Sequence, residues 1–208
     1  MNKCPFCSIF SVTALVALLA FCVAGGDKSK GVAGPHPGDV APAFALQDQD
    51  GKNISLADYS GKIVVLEWFN NECPFVVKHY KNGDMNALAT KYTTEGVVWL
   101  AINSTNGKTT ADMKTVSNDW KIDRPILLDS SGTVGKSYGS KNTPTMYIID
   151  KTGKLAYRGA IDNKADPNPD SIKSSKNYVS HALDEMLAGK TVSEPETRAY
   201  GCSVKYGN

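Results

Sequence analysis

The chain has 208 residues, with 23 basic and 21 acidic side chains, three histidines and five cysteines. A formal net charge of +2 argues against the concentrated basic face that nucleic-acid or membrane-surface binding requires. The length suits one domain with a sizeable core.

Residues 1–24 read as a secretory leader. Lys3 precedes an uncharged run, SIFSVTALVALLAFCVA, and small residues follow at Ala24, Gly25 and Gly26, where a peptidase would cut. A permanent membrane span needs about 20 apolar residues, which this run does not cleanly supply. No stable membrane insertion is therefore expected after cleavage, and the mature chain is expected in the periplasm or another extracytoplasmic space. Phe21 argues against a lipid anchor on Cys22, because lipoprotein peptidases take a small residue at that position. The CPFC stretch at 4–7 has the spacing of a thiol-exchange site but leaves with the leader, so the mature thiols are Cys73 and Cys202.

Residues 25–38 are rich in glycine, proline and charge and read as a flexible tether with a solvated His36. The domain occupies 39–208. It opens with an N-terminal β-hairpin extension, FALQDQDGKNISL, turning at Asp50-Gly51. The apolar run KIVVLEWF, 62–69, is a central strand buried on both faces. Helical spacing runs from Pro74 to about Tyr92, interrupted at KNGD, 81–84. GVVWLAIN is a second buried strand, and Thr109 or Thr110 caps the helix after it. A short strand, RPILLD, and a short helix, SGTVGKSYG, lead into the strand–turn–strand TPTMYIID–KTGK–LAYRG. The closing helix YVSHALDEMLAG ends at Gly189 and carries a partly buried structural His181. The sum is an α/β domain, a mixed sheet flanked by helices. The polar loop 160–177 contains Asp162, Asp166 and Asp170, which read as solvated because no glycine-turned cation loop surrounds them.

Cys73 falls where a buried strand gives way to a helix. The free amides and dipole at that terminus favour thiolate over thiol, and Pro74 suits the first helical turn. The competing reading is an inert buried cysteine. Glu67 interrupts the apolar strand, where a carboxylate is costly unless partnered or protonated. It is a candidate proton shuttle for Cys73, or a side chain turned outward at the strand end. His79 lies six residues along the helix, roughly 600° of turn from Cys73, and is not placed to act as its base. A copper site would need Cys73, Cys202 and His79 to converge; no cofactor or metal is expected.

The segment VVLEWFNNECPFVVKHY resembles the active-site region of thioredoxin-fold redoxins, in which a buried acid precedes the attacking cysteine by six residues, as Glu67 precedes Cys73. NTPTMYIID is similar to their second hallmark, a Thr-Pro with a cis peptide bond set against the reactive sulfur, here Thr143-Pro144. The opening GDVAPAFALQDQDGKNISLADYSGKIVVLEW and the end RAYGCSVKY resemble exported thioredoxin-family and peroxiredoxin-like proteins of the AhpC/TSA redoxin type. The resemblance implies a thioredoxin-like fold and a thiol-dependent oxidoreductase, with Pro144 shaping the substrate contact. Val76 stands where thioredoxins carry a resolving cysteine. Leu66 and Asn70 stand where peroxiredoxins carry a proline and a hydroxyl residue, although Asn70 can still donate amide hydrogen bonds.

Cys202 is the remaining candidate for the second thiol. The dozen or so residues between the last helix and Cys202 span roughly 40 Å when extended, so reach does not prevent a Cys73–Cys202 bond. The bond is either a redox pair, with Cys202 resolving, or a permanent staple on the C-terminus. The expected partners are a protein or small-molecule disulfide, or a peroxide, and a separate reductant. A non-catalytic binding module on the same scaffold is the alternative from another class.

Overall fold

The structure, a computed structural model, describes residues 34–207. The expected leader and most of the tether lie outside the described residues. Among the described residues no helix is long and apolar enough to cross a membrane.

The hairpin forms β1 (Ala45–Gln47) and β2 (Asn53–Ser55), followed by a single 3-10 turn, Leu56–Tyr59. Next come β3 (Val64–Trp68), α1 (Pro74–Lys81), α2 (Asp84–Thr94), β4 (Val98–Asn103) and α3 (Thr110–Asp119). The chain continues with β5 (Ile126–Leu128), α4 (Thr133–Ser137), β6 (Asn142–Thr143), β7 (Thr145–Ile149) and β8 (Leu155–Gly159). After a 3-10 turn at Pro169–Ser174, α5 (Tyr178–Leu187) and a two-residue strand, β9 (Cys202–Ser203), complete it.

Seven strands make one mixed sheet in the order β2-β1-β5-β4-β3-β7-β8. β3 pairs parallel with β4 and antiparallel with β7, and all five of its residues are buried. Its alternating side chains feed two cores. Val65 faces the layer of Tyr80, Met85, Tyr92, Val179 and Leu183, while Leu66 and Trp68 face Ile102, Tyr138 and Tyr147 on the other side. A strand apolar at every position but Glu67 is the pattern expected when both faces are covered.

The interruption at KNGD separates α1 from α2. Gly83 adopts φ 79°, a left-handed conformation open to glycine at no steric cost, and re-aims the chain there. Thr109, rather than Thr110, caps α3, through its hydroxyl and the Asp112 carboxylate in a reciprocal box. Arg158 Nη1 donates to the carbonyls of Gly34 and Pro35, and its Nη2 reaches Glu196. His36, read as solvated, is exposed but lies 3.2 Å from Glu196. His181 is exposed rather than partly buried, because it sits on the outer face of α5.

Candidate active site

The site is built at the C-terminal end of β3. Between strand and helix the chain turns through Asn70, whose Oδ1 accepts from the Glu72 amide and whose carbonyl accepts from the Cys73 amide. This turn delivers Cys73 as the N-cap of α1, with Pro74 at the first helical position. Asn70 therefore shapes the loop, and its amide oxygen is already engaged.

Opposite Cys73 is the Thr143-Pro144 bond, which is cis. The Cys73 thiol donates to the Thr143 carbonyl at 3.0 Å. The third wall is the C-terminal tail. β9 pairs antiparallel with β6, setting Cys202 directly across from Thr143. The seat is reinforced by Asn142 Nδ2 donating to the Gly201 carbonyl, by the Val204 amide donating to Lys141, and by Tyr206 Oη donating to Ser140. Both thiols are free in this structure.

Cys73 is 1 % exposed, and Cys202 is intermediate. Burial alone pushes the Cys73 thiol up; donors outweigh it. These are the Cys202 thiol and the backbone amides of Cys202 and Val76, and the net effect lowers Cys73 from the ordinary thiol value. Cys202 moves the other way. Burial and its hydrogen bond to Cys73 push it up to about 11. The two sulfurs are thus driven in opposite directions, Cys73 down and Cys202 up.

Glu67 is fully buried on β3, as the apolar run around it suggested, and does not turn outward. Its Oε1 accepts from Tyr80 Oη at 2.7 Å, and its Oε2 accepts from Trp99 Nε1 at 3.0 Å and Arg124 Nη2 at 3.4 Å. These donors occupy the carboxylate, and no hydrogen bond joins it to Cys73. The arrangement brings together Cys73, Cys202, Thr143, Pro144 and the Asn70 turn; Glu67 belongs to a separate network.

A second buried cluster was not anticipated. Asp162, read as solvated, is 1 % exposed, and Lys78, His79 and Tyr200 surround it. The strand-like apolar pair Ala160-Ile161 just before Asp162 was the available signal. The first residues of the loop continue inward from β8, whereas the Asp170–Lys173 pair beyond them is exposed.

The sequence profile of the AhpC/TSA family matches residues 37–158. A curated relative, thiol-disulfide oxidoreductase ResA of Bacillus thuringiensis subsp. konkukian, is 33% identical over 118 residues, 57% of this chain and 66% of that protein. The match thus spans just under two thirds of the relative's length. The solved structure of an uncharacterized conserved protein from Geobacillus kaustophilus is 33% identical with a TM-score of 0.70, covering 82% of this chain and 92% of that one. The thioredoxin domain of a thiol-disulfide oxidoreductase from Bacteroides vulgatus, 22% identical with a TM-score of 0.52, covers 66% of this chain and 96% of that one and shares the fold. With the sheet order, the cis Thr143-Pro144 and the helix-capping Cys73 in place, this chain belongs to the AhpC/TSA family and has a thioredoxin-like fold.

Proposed function

We propose that the chain is an extracytoplasmic thiol-disulfide oxidoreductase in which Cys73 is the nucleophile and Cys202 the resolving thiol. The observation that carries this reading is the pairing of Cys202 across from Thr143, which sets its thiol against the Cys73 sulfur at the opening of α1. The export assignment rests on the leader pattern at 1–24.

The Cys73 thiolate attacks one sulfur of a substrate disulfide, forming a mixed disulfide and releasing the other half as a thiolate. Cys202 then loses its proton and attacks the Cys73 sulfur. The second substrate half leaves, and a Cys73–Cys202 disulfide remains. Two electrons pass from protein to substrate, and an external dithiol restores the reduced pair. A Cys202 thiol pushed up to about 11 is a poor nucleophile until deprotonated, so the Cys73 sulfur leads at neutral pH. Thr143 and Pro144 form the wall against which the substrate sulfur lies.

The test is reaction of the reduced protein with oxidised glutathione, followed by peptide mass mapping. The wild type should end with the internal disulfide, Cys202→Ser should stop as a glutathione adduct on Cys73, and Cys73→Ser should form no adduct at pH 7. An adduct found first on Cys202 overturns the assignment. A disulfide that resists graded reduction identifies a staple instead.

The family match favours a second reading, peroxide reduction. Leu66 and the engaged Asn70 oxygen occupy the positions where peroxide-orienting groups are expected. Stopped-flow reaction with hydrogen peroxide at a rate no better than that of free cysteine eliminates it.

A further inference from the structure

The proposed reaction requires substrate to reach a sulfur that the tail covers, so the contacts holding the tail bear on that access. Three buried titratable groups and a partly buried tyrosine, from three parts of the fold, converge beside it. Lys78 and His79 come from α1, the helix that Cys73 begins; Asp162 follows β8; Tyr200 lies in the tail, two residues before Cys202.

Tyr200 Oη donates to Asp162 Oδ1 at 2.5 Å and lies 3.4 Å from His79 Nε2. Lys78 Nζ donates to the Lys164 carbonyl at 2.6 Å and stands 5.2 Å from the centre of the Tyr200 ring. The Phe75 ring meets Tyr200 edge-on at 5.9 Å. Asp162 Oδ2 has no hydrogen-bond partner; Lys78 Nζ is 3.8 Å away and His79 Nε2 3.9 Å. A buried ammonium and carboxylate at that separation carry a desolvation cost that their attraction offsets only in part. Water reaching the pair after the tail leaves would relieve that cost. Apolar packing at the same place would hold the tail without this opposing force.

Glycine at 201 completes the contact. It has φ 114°, and a Cβ there would collide with the Thr143 carbonyl. The backbone beside Cys202 therefore approaches the Thr143 strand as only glycine permits.

We infer that Tyr200, through its hydrogen bond to Asp162, is a positioning residue that holds Cys202 over Cys73, and that releasing this bond opens Cys73 to a disulfide substrate. This rests on the exchange function proposed above and adds how its two half-reactions are divided. The tail must be out for attack on substrate and in for resolution. A hydroxyl on a buried carboxylate is a strong contact, and it adds to the hydrogen bonds that join Gly201, Val204 and Tyr206 to Asn142, Lys141 and Ser140.

The test compares wild type with Tyr200→Phe, which keeps the ring and loses only the hydroxyl. Two rates are read: alkylation of Cys73 by iodoacetamide in the reduced protein, and closure of the internal disulfide from a pre-formed glutathione adduct on Cys73. Tyr200→Phe should accelerate the first and slow the second, each roughly tenfold, the loss of one charge-assisted hydrogen bond. Gly201→Ala, which displaces the tail through the backbone, should change both rates in the same directions. A Tyr200→Phe protein with a lowered melting temperature and both rates unchanged makes Tyr200 merely structural and overturns the inference. So does a Gly201→Ala protein that opens Cys73 while Tyr200→Phe does not. The parent reading fails differently: in Cys202→Ser, with or without Tyr200→Phe, glutathione would then never add to Cys73.

Discussion

Helix α1 presents two buried polar clusters through consecutive residues, and they are built on opposite principles. Tyr80 donates to Glu67 in the sheet and accepts from Arg124, and with Trp99 these donors satisfy both carboxylate oxygens. Lys78 and His79 face Asp162 and Tyr200, where one carboxylate oxygen lacks a partner and the nearest cations stand almost 4 Å away. All contributors to the first cluster lie in the body of the domain. The second is closed by a tail residue. A carboxylate satisfied at both oxygens ties together the strand and helix that present Cys73, whereas one with an unpartnered oxygen suits a contact made and broken during turnover.

The largest effect that would break this comparison concerns the first network. Arg124→Met leaves the Glu67 carboxylate buried without its cation, and urea unfolding should show a loss of about 3 to 5 kcal/mol. The thiolate titration of Cys73, followed by alkylation rate against pH, should stay where it was, because no hydrogen bond links the two groups. A shift of that titration in Glu67→Gln would restore Glu67 as the group that handles the Cys73 proton and merge the two regions into one site.

The second cluster predicts an acid sensitivity of its own. Burial, aided by Lys78 and opposed by Asp162, lowers His79 to about 4 from an ordinary 6.5. The folded chain thus holds the ring neutral where the unfolded chain has begun to bind a proton. Stability falls as pH drops through 6.5, keeps falling to about 4 and levels off below, a total of about 3 kcal/mol. His79→Gln should flatten that limb of the stability curve by a comparable amount. An unchanged limb means that the cluster hydrates freely in the folded state and that the difference between the two regions is overstated.

The sequence carried the first region more fully than the second, for a physical reason. An acid inside VVLEWF announces its own burial, because the strand is covered on both faces whatever its partners turn out to be. The partners Tyr80 and Arg124 stay hidden because they lie 13 and 57 residues away, joined only by the packing of α1 and the loop before β5 on that strand. Cys73 at a strand-to-helix junction and Thr-Pro ahead of a strand are local patterns and could be read directly. Asp162 looked solvated because its loop is polar, and loop composition cannot say which single residue is covered by a tail almost 40 positions on. Cys202 was identified by elimination among the thiols. Its pairing with Thr143 depends on the path of the whole tail, from the Arg158–Thr197 backbone contact to Tyr206 on Ser140.

The smallest expected effect sharpens the contrast by supplying a charged pair beside the site that belongs to neither cluster. Lys108 Nζ donates to Glu72 Oε1 at 2.5 Å, one residue before Cys73, but the Glu72 side chain is 60% exposed. Water and salt screen such a pair, so Glu72→Gln should cost about 0.2 to 1 kcal/mol, with the difference shrinking as ionic strength rises. Neither the Cys73 alkylation rate nor the rate of disulfide closure should respond, since Glu72 contributes its backbone amide to the Asn70 turn and its carboxylate only to the surface. If Glu72→Gln changed those rates as strongly as Tyr200→Phe, surface charge near the sulfur would control access as much as the buried tail contact. The division between a rigid and a releasable cluster would then lose its explanatory value.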